Sequence, residues 1–267
     1  MIVARLAQAR LDPAVGVRCD ALIATTLGFG SSSNNIFVTA SCWADDYKTQ
    51  LGTGIWHYLD IPFSLDGTTT AGVAPDPWDA VRAIRQQTEL LRATTSSETQ
   101  KATALRYLIH LVGDLQQPMH CSTAVWAGDT NGDAGGNGFA VTGTWSNLHS
   151  LWDAGGGAFS DSISRPLNST ELALIDTRAA EIESLHPYAT LGGGSTDPMD
   201  WAVEGMAIAR DTGYVGVTRN ATPSTTYLNK VKASAKQRAA MGGRRLADLL
   251  NTTLAATPVS VSRFEAE

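Results

Sequence analysis

Apolar residues recur at helical intervals along most of the chain. Between residues 98 and 114 the apolar positions are Ala104, Leu105, Leu108, Leu111 and Val112. This spacing predicts a strong helix, which Ser97 and Gln100 begin as a capping box and Pro118 helps to end. The same kind of pattern predicts helices at residues 1–9, 76–95, 146–153, 170–185, 198–214 and 225–250. We therefore expect a mainly α-helical protein.

Signals for β-strands and for chain breaks are few. Short strands are expected at residues 36–39 and 139–142 at most. Residues 122–147 are rich in Gly, Asn and Asp and predict a long loop with a short hairpin near 138–145, and loops of that length are usually functional. The GGGS run at 192–195 is favoured as a surface loop over a domain linker. We expect a single domain over residues 1–267.

Composition and net charge argue against some classes of function. The 267 residues are 43% hydrophobic and carry a net charge of −6, which makes sequence-nonspecific duplex binding through Lys and Arg improbable unless a bound metal supplies positive charge. The sequence has no apolar window of 18 residues, so no membrane span is predicted. The three cysteines do not have zinc-finger spacing, and a bridge between Cys19 and Cys42 is left open.

Histidine placement carries the candidate chemistry. Two of the five histidines have an aspartate four residues later, His110 with Asp114 and His149 with Asp153. On a helix each pair shares a face and can offer an imidazole and a carboxylate to one metal ion. His57, His120 and Asp45 are further candidate ligands, whereas His186 precedes Pro187 without a nearby partner and is read as a surface residue. Nitrogen and oxygen ligands without thiolates favour zinc over magnesium or calcium.

Seven sequence runs carry a resemblance to a known family. They are WADDYK (43–48), WHYLDI (56–61), LRYLIHLVGDLQQPMHC (105–121), GGN (135–137), NLHSLWD (147–153), DWAVEGMAIA (200–209) and GGRRLADLLN (242–251). Together they resemble the zinc-dependent, single-strand-specific nucleases of the S1/P1 type, which include mould nucleases and plant bifunctional nucleases. These enzymes are related in fold to bacterial zinc phospholipases C. The resemblance covers nearly the whole chain, and its specific part is residues 43–153.

The resemblance implies a single-domain helical bundle with long loops around a trinuclear zinc site. The residues that match the family's ligands to the first zinc are Asp45, His57, His110 and Asp114. Those that match the ligands to the second zinc are His120, His149 and Asp153. The third zinc shares Asp114, and its other ligands in the family are an N-terminal tryptophan and a nearby histidine.

The beginning of the sequence departs from the family pattern. The residues from Met1 to Ala4 match the family just after that histidine, so the third site is incomplete in the chain as given. We expect the tryptophan and the histidine to lie upstream of Met1, preceded by a cleaved signal peptide. A secreted or periplasmic location is expected with them.

The resemblance also implies an activity and a substrate site. The expected reaction is hydrolysis of single-stranded DNA or RNA at the P–O3′ bond to give 5′-nucleotides, together with 3′-nucleotidase activity. Asp45 is the expected catalytic residue, because it can orient the attacking hydroxide beside the first zinc. The expected substrate-binding residues are Lys48, Tyr58, Asp60, Trp126 and Asn137, with Lys48 standing where some relatives have an arginine. We expect a monomer that does not bind membranes.

Two alternatives belong to other functional classes. The first is a zinc phospholipase C, whose metal ligands look much the same; Asp60, Lys48 and the absence of an apolar loop suited to a bilayer argue against it. The second is an inactive or truncated family member that acts as a binding protein.

Overall fold

The computed structural model describes residues 1–28, 32–74, 76–192 and 194–255. The helices of this described part are α1 (Ile2–Gln8), α2 (Pro13–Ala24), α3 (Phe37–Ala40), α4 (Trp43–Leu51), α5 (Ala80–Arg92), α6 (Glu98–Asp114), α7 (Leu148–Asp153), α8 (Ser169–Leu185), α9 (Pro198–Ile208) and α10 (Thr225–Leu254). Its strands are β1 (Ile61–Ser64) and β2 (Ser122–Val125). The prediction of a mainly α-helical fold is confirmed.

Helix α6 is the central element of the core. Its first turn is closed by the predicted capping box, in which the Ser97 side chain accepts from the Gln100 amide and Gln100 accepts from the Ser97 amide. The helix is buried on several sides, and it packs against α2, α4, α5 and α10. Its last two turns carry His110 and Asp114. The predicted bounds of this helix are confirmed.

Two buried arginines from α10 hold the carboxyl end of α6. Arg238 donates to the carbonyl oxygens of Leu115 and Gln116 at 3.1 Å, and Arg245 donates to the Gln116 side chain at 3.0 Å. Both guanidinium groups also pair with Glu204 of α9. Cationic side chains are favourable at a helix carboxyl end, where carbonyl groups lack helical partners. These contacts fix the end of α6, where Asp114 is the last residue.

A short parallel sheet joins two distant parts of the chain. Residues of β1 pair with β2 in the register Ile61 to Ser122 and Ser64 to Val125. Just before the sheet, the Leu59 amide donates to the His120 carbonyl at 2.8 Å. Residues 57–60 therefore lie beside residues 118–121, although about sixty positions separate them in the sequence.

Both predicted strands are wrong. Residues 36–39 belong mainly to α3, in which Phe37, Val38, Thr39 and Ala40 are all buried. A run buried on every side has no strand alternation, so periodicity does not distinguish the two structures. Residues 139–142 form only an isolated antiparallel bridge, from Ala140 to Asn147, at the predicted hairpin. The true strands were missed because each has four residues and pairs only with a remote segment.

Several helix boundaries also differ from the predictions. The helix expected over 76–95 begins at Ala80, because the Asp79 side chain caps it by accepting from the Arg82 amide at 2.8 Å. Trp78 therefore precedes the helix and is 37% exposed. The helix expected over 198–214 ends at Ile208 and continues as a π-helical turn, Ala209–Gly213. Helices α2 and α4 were not predicted.

The structure also bears on the disulfide bridge that the sequence left open and on membrane-spanning helices. Cys19, Cys42 and Cys121 are free thiols, so the structure contains no Cys19–Cys42 bridge. Within the described ranges, none of the helices combines the length and the apolar character needed to cross a membrane. The GGGS run lies in the connection between α8 and α9, and Gly193 is outside the described residues.

Candidate metal centre

Four side chains from three parts of the chain converge at the end of α6. Asp45 comes from α4, His57 from the turn before β1, and His110 and Asp114 from α6. His57 Nδ1 lies 2.9 Å from Asp114 Oδ2, 2.9 Å from His110 Nε2 and 3.7 Å from Asp45 Oδ1. His110 Nε2 lies 3.0 Å from Asp114 Oδ2 and 3.8 Å from Asp45 Oδ1. Asp45, His57 and His110 offer three ligand atoms that lie within 4.8 Å of one another, and Asp114 Oδ2 lies beside the two imidazoles.

A second cluster lies next to the first. His120 lies just before β2, where its carbonyl accepts from the Leu59 amide. His149 and Asp153 share one face of α7. His120 Nε2 lies 3.3 Å from Asp153 Oδ1, and His149 Nε2 lies 3.6 Å from Asp153 Oδ2. The two imidazole rings stack with centroids 5.0 Å apart. The three ligand atoms can approach one metal ion together.

Asp114 stands between the two clusters. Its Oδ2 atom faces His57 and His110, and its Oδ1 atom lies 3.8 Å from His120 Nδ1. Only 15% of its side chain is exposed. A mostly buried carboxylate with one oxygen toward each cluster is placed to link two metal sites.

Backbone carbonyls orient two of the imidazoles. His110 Nδ1 donates to the Ser41 carbonyl at 2.5 Å, and His149 Nδ1 donates to the Gly135 carbonyl at 2.8 Å. Because each Nδ1 carries the proton, each Nε2 offers its lone pair to the cluster. Gln117 donates to Asp153 Oδ1 at 2.8 Å and so holds that carboxylate. The sequence did not predict these three orienting contacts. Two of the partners are backbone carbonyls, and the third, Gln117, lies three positions from both Asp114 and His120.

The charges of the clusters are strongly coupled. Burial opposes the charged form of His110, but the facing Asp114 and Asp45 carboxylates outweigh it and raise the pKa of His110 to about 9. Burial alone would raise the pKa of Asp114, yet the facing imidazoles hold it well below its usual range. The pKa of His120 is raised as well, because its contact with Asp153 and the charge of Asp114 outweigh its burial. The clusters thus require positive charge, from protons or from a metal ion.

The chemistry of the donor set tests whether zinc fits. Each cluster offers imidazole nitrogens and carboxylate oxygens that lie within 4.8 Å of one another. Imidazole nitrogens and carboxylate oxygens without sulfur suit zinc. The seven residues therefore fit zinc, and their role as its ligands stays a prediction.

Gly135 is required where the loop crosses beneath the second cluster. Its φ angle is +61°, and a Cβ there would overlap the Met119 carbonyl oxygen. We expect Gly135→Ala to lower the free energy of unfolding by about 2–4 kcal/mol, since both the backbone strain and the overlap oppose folding. Urea unfolding measures the change. Gly192→Ala, which has no atom within 4 Å of its new Cβ, is the matched control; equal stability of the two variants would contradict the prediction.

The predicted substrate residues on one side of the clusters are close to the metal ligands. The Lys48 ammonium group lies 2.9 Å from Asp45 Oδ1, so it is paired with a predicted ligand. Tyr58 directly follows His57, Asp60 lies three positions after it, and both are half-buried. Burial, with the charges of Asp133 and Asp76, raises the pKa of Asp60 to about 6.

The other predicted substrate residues lie on the loop after β2. Asn137 is exposed and donates to the Ala134 carbonyl at 2.8 Å. Trp126 is half-buried, with its ring edge-on to Phe139 at 6.4 Å between centroids. The Arg219 guanidinium lies over the Trp126 ring, 4.8 Å from its centroid. Sequence reasoning missed Arg219, which is more than ninety residues away along the chain.

The remaining histidine lies outside both clusters. His186 is half-buried at the end of α8. Seven side chains of metal-binding chemistry thus gather at one place in a mainly helical fold. Metal ions held by such ligands can activate water for hydrolysis, so the site defines the class of metal-binding proteins to which metal-dependent hydrolases belong.

Comparison with known proteins makes the class specific. The chain belongs to the S1/P1 nuclease family, whose model matches residues 1–255. Members of this family are metal-dependent hydrolases that cut phosphodiester bonds. The family resemblance read from the sequence runs is confirmed.

Individual relatives share less of their length with this chain. It is 30% identical to nuclease S1 of Aspergillus oryzae over 46% of this chain and 43% of that protein. It is 31% identical to nuclease P1 of Penicillium citrinum over 49% of this chain and 52% of that protein. Endonuclease 2 of Arabidopsis thaliana is 26% identical over 94% of this chain and 87% of that protein. The matched part therefore spans about half of each mould nuclease and most of the plant endonuclease.

Proposed function

We propose that this chain is a zinc-dependent nuclease that hydrolyses single-stranded DNA or RNA at the P–O3′ bond. Its products would be 5′-nucleotides, and it would also remove phosphate from 3′-nucleotides. The observation that carries the proposal is the convergence of seven ligand side chains, with Asp114 between two clusters, in a member of this family. A third zinc that shares Asp114, and a secreted or periplasmic location, are part of the same proposal.

Residues of this chain would take different roles in the reaction. Zinc bound in these clusters would supply a water molecule of lowered pKa and neutralise phosphoryl charge. Asp45 is about half exposed, so its second oxygen can orient an attacking water molecule. Lys48 places a cation beside the same carboxylate, where a substrate phosphate would arrive.

Two residues near the centre support the proposed preference for single strands. Tyr58 offers an aromatic ring for stacking, and Asp60 offers a carboxylate that can accept hydrogen bonds from a base edge. A base reaches such a pocket only after it leaves its stack, and a single strand permits this at low cost. The proposal therefore predicts slow cleavage of duplex substrate.

Four substrates test the proposed function in one assay. The zinc-loaded protein is given a single-stranded oligonucleotide, the same sequence as duplex, a 3′-mononucleotide and phosphatidylcholine vesicles. We expect rapid cleavage of the single strand to products with 5′-phosphate ends, release of phosphate from the 3′-mononucleotide, and intact lipid.

A pair of histidine variants provides the control for that assay. His149→Gln removes a predicted ligand and is expected to lower kcat/KM by about a hundredfold or more, since metal-site substitutions commonly cost this much. His186→Gln lies outside the clusters and should retain the wild-type rate. Hydrolysis of lipid in place of nucleic acid, or equal activity of both variants, would overturn the proposal.

Asp60 is expected to reduce stability in return for substrate binding. Its pKa of about 6 lies above the unfolded value of about 3.9, so the ionised form destabilises the folded state above pH 6. Asp60→Asn should raise the free energy of unfolding by about 1–3 kcal/mol at pH 8. Near pH 3.5, where the carboxyl is mostly protonated in both states, the difference should almost vanish.

Urea unfolding at the two pH values checks this expectation. Activity on a single-stranded oligonucleotide should fall in the same variant, because the base edge loses an acceptor. Asp20→Asn, at an exposed position on α2, is the matched control for loss of one negative charge. A stabilisation of equal size at both pH values would refute the assignment to ionisation.

A further inference from the structure

Arg219 is an exposed arginine on the loop between the π-helical turn and α10. Among the described residues, no Asp or Glu oxygen lies within 4.0 Å of its guanidinium group. Its Nη2 atom donates to the Gly138 carbonyl at 3.3 Å, and its guanidinium carbon lies over the Trp126 ring. One of five N–H donors is thus used, and the others are available to a ligand.

The loop that carries Arg219 is attached to the loop after β2. The Asn220 amide donates to the Ala140 carbonyl at 2.8 Å, and the Thr142 amide donates to the Ala221 carbonyl at 3.1 Å. The Thr142 and Thr222 hydroxyls lie 2.9 Å apart and share a hydrogen bond. Four hydrogen bonds therefore fix the position of Arg219, when its own bond to the Gly138 carbonyl is included.

The same stretch of backbone connects Arg219 to the metal centre. The Gly135 carbonyl accepts from His149, and the Gly138 carbonyl accepts from Arg219. The two residues are three positions apart in the sequence, which limits the separation of their carbonyl groups to roughly 11 Å. Asn137 lies between them on the exposed side. A strand bound at the metal centre can reach Arg219 within a few nucleotides.

Electrostatics favours an anionic ligand at this position. The surrounding loops contribute acidic groups at Asp60, Asp129 and Asp133, and the chain as a whole has a net charge of −6. A cation that none of these carboxylates neutralises is suited to a phosphate, which an arginine can bind with two parallel hydrogen bonds. The Trp126 ring lies 4.8 Å from the guanidinium carbon, and this contact with the ring face uses none of the N–H donors that would bind the phosphate.

We propose that Arg219 binds a backbone phosphate of a nucleotide adjoining the one held at the metal centre. This inference rests on the proposed function. It makes Arg219 a determinant of preference for oligonucleotides over mononucleotides, because a 3′-mononucleotide has no neighbouring phosphate to occupy the arginine.

Salt dependence and substrate length test the proposal together. The zinc-loaded wild type, Arg219→Gln and Arg219→Lys are compared on a single-stranded oligonucleotide and on a 3′-mononucleotide. We expect Arg219→Gln to lower the ratio of the two kcat/KM values about tenfold, the effect of losing one charged hydrogen bond. The slope of log kcat/KM against log salt should become shallower by about 0.7, the value for one phosphate contact on a single strand. Arg219→Lys should retain most of the slope.

Arg18→Gln is the matched control, since it removes one positive charge at a distance. Arg18 pairs with Glu98 at the far end of α6, about 24 Å of helix from Asp114. An unchanged ratio and slope in Arg219→Gln, or an equal change in Arg18→Gln, would overturn the proposal. If the wild type cuts neither substrate, the proposed function fails; fluorescence anisotropy of a labelled oligothymidylate on the same zinc-loaded proteins then supports or refutes the Arg219 contact by its salt slope.

Discussion

Asp114→Asn is expected to lower kcat/KM on single-stranded DNA by about a thousandfold or more and to reduce the zinc content. The substitution keeps the shape of the side chain and removes the charge that faces His57 and His110 on one side and His120 on the other. Loss of about 4 kcal/mol of metal-dependent stabilisation of the transition state corresponds to this factor. Steady-state kinetics and metal analysis on the purified variant measure the two effects.

The control for this variant is an aspartate outside the clusters. Asp211 is exposed and paired with its neighbour Arg210, so Asp211→Asn should retain wild-type zinc content and activity. If Asp114→Asn also keeps its zinc and its rate, the carboxylate between the clusters has no metal-bridging role.

Removal of two zinc ions is expected to lower the melting temperature by at least about 16 °C. A ligand present at a thousand times its Kd stabilises the folded state by about 4 kcal/mol for each site. For a chain of this size, each kcal/mol corresponds to about 2–4 °C. Thermal unfolding with zinc and with a chelator measures the difference, and metal analysis should find about two ions for the seven described ligands.

The pH dependence of that difference has a definite sign. In the metal-free protein the pKa of His110 is raised to about 9, so its stabilising charge is complete below the unfolded value of about 6.5 and is lost as pH rises through 9. Zinc competes with that proton and binds more tightly as pH rises. The gap between zinc-loaded and metal-free melting temperatures should therefore widen from pH 6.5 to pH 9. A gap that is constant or narrows over this range would contradict the assignment of His110 as a ligand.

The most accurate predictions from the sequence are those that depend on neighbours within one helix. The bounds of α6 follow from Ser97, Gln100 and the apolar spacing between them and Asp114, and all of these act within a few residues. The same holds for the pairing of His110 with Asp114 and of His149 with Asp153, because residues four apart share a helix face. The family resemblance then extended these pairs to seven candidate ligands.

Long-range contacts account for what the sequence did not reveal. The parallel strands are four residues each, and their pairing joins segments about sixty positions apart, so their own patterns are too short to predict them. Arg238 and Arg245 act on the end of α6 from more than 120 positions away. The Ser41 and Gly135 carbonyls that orient His110 and His149 are backbone groups, which every residue carries and no motif marks.

By itself, then, the sequence determined a helical protein with histidines and carboxylates paired for metal binding, and its runs indicated the family. Only the tertiary structure decided that Asp114 turns one oxygen toward each cluster, that Trp78 lies outside its predicted helix, and that Arg219 lies beside Trp126 without a carboxylate partner in the described part of the chain. The physical reason is range. Helical periodicity and capping depend on residues that are close together in the sequence. The direction of a side chain and the charge around it depend on segments that meet only when the chain folds.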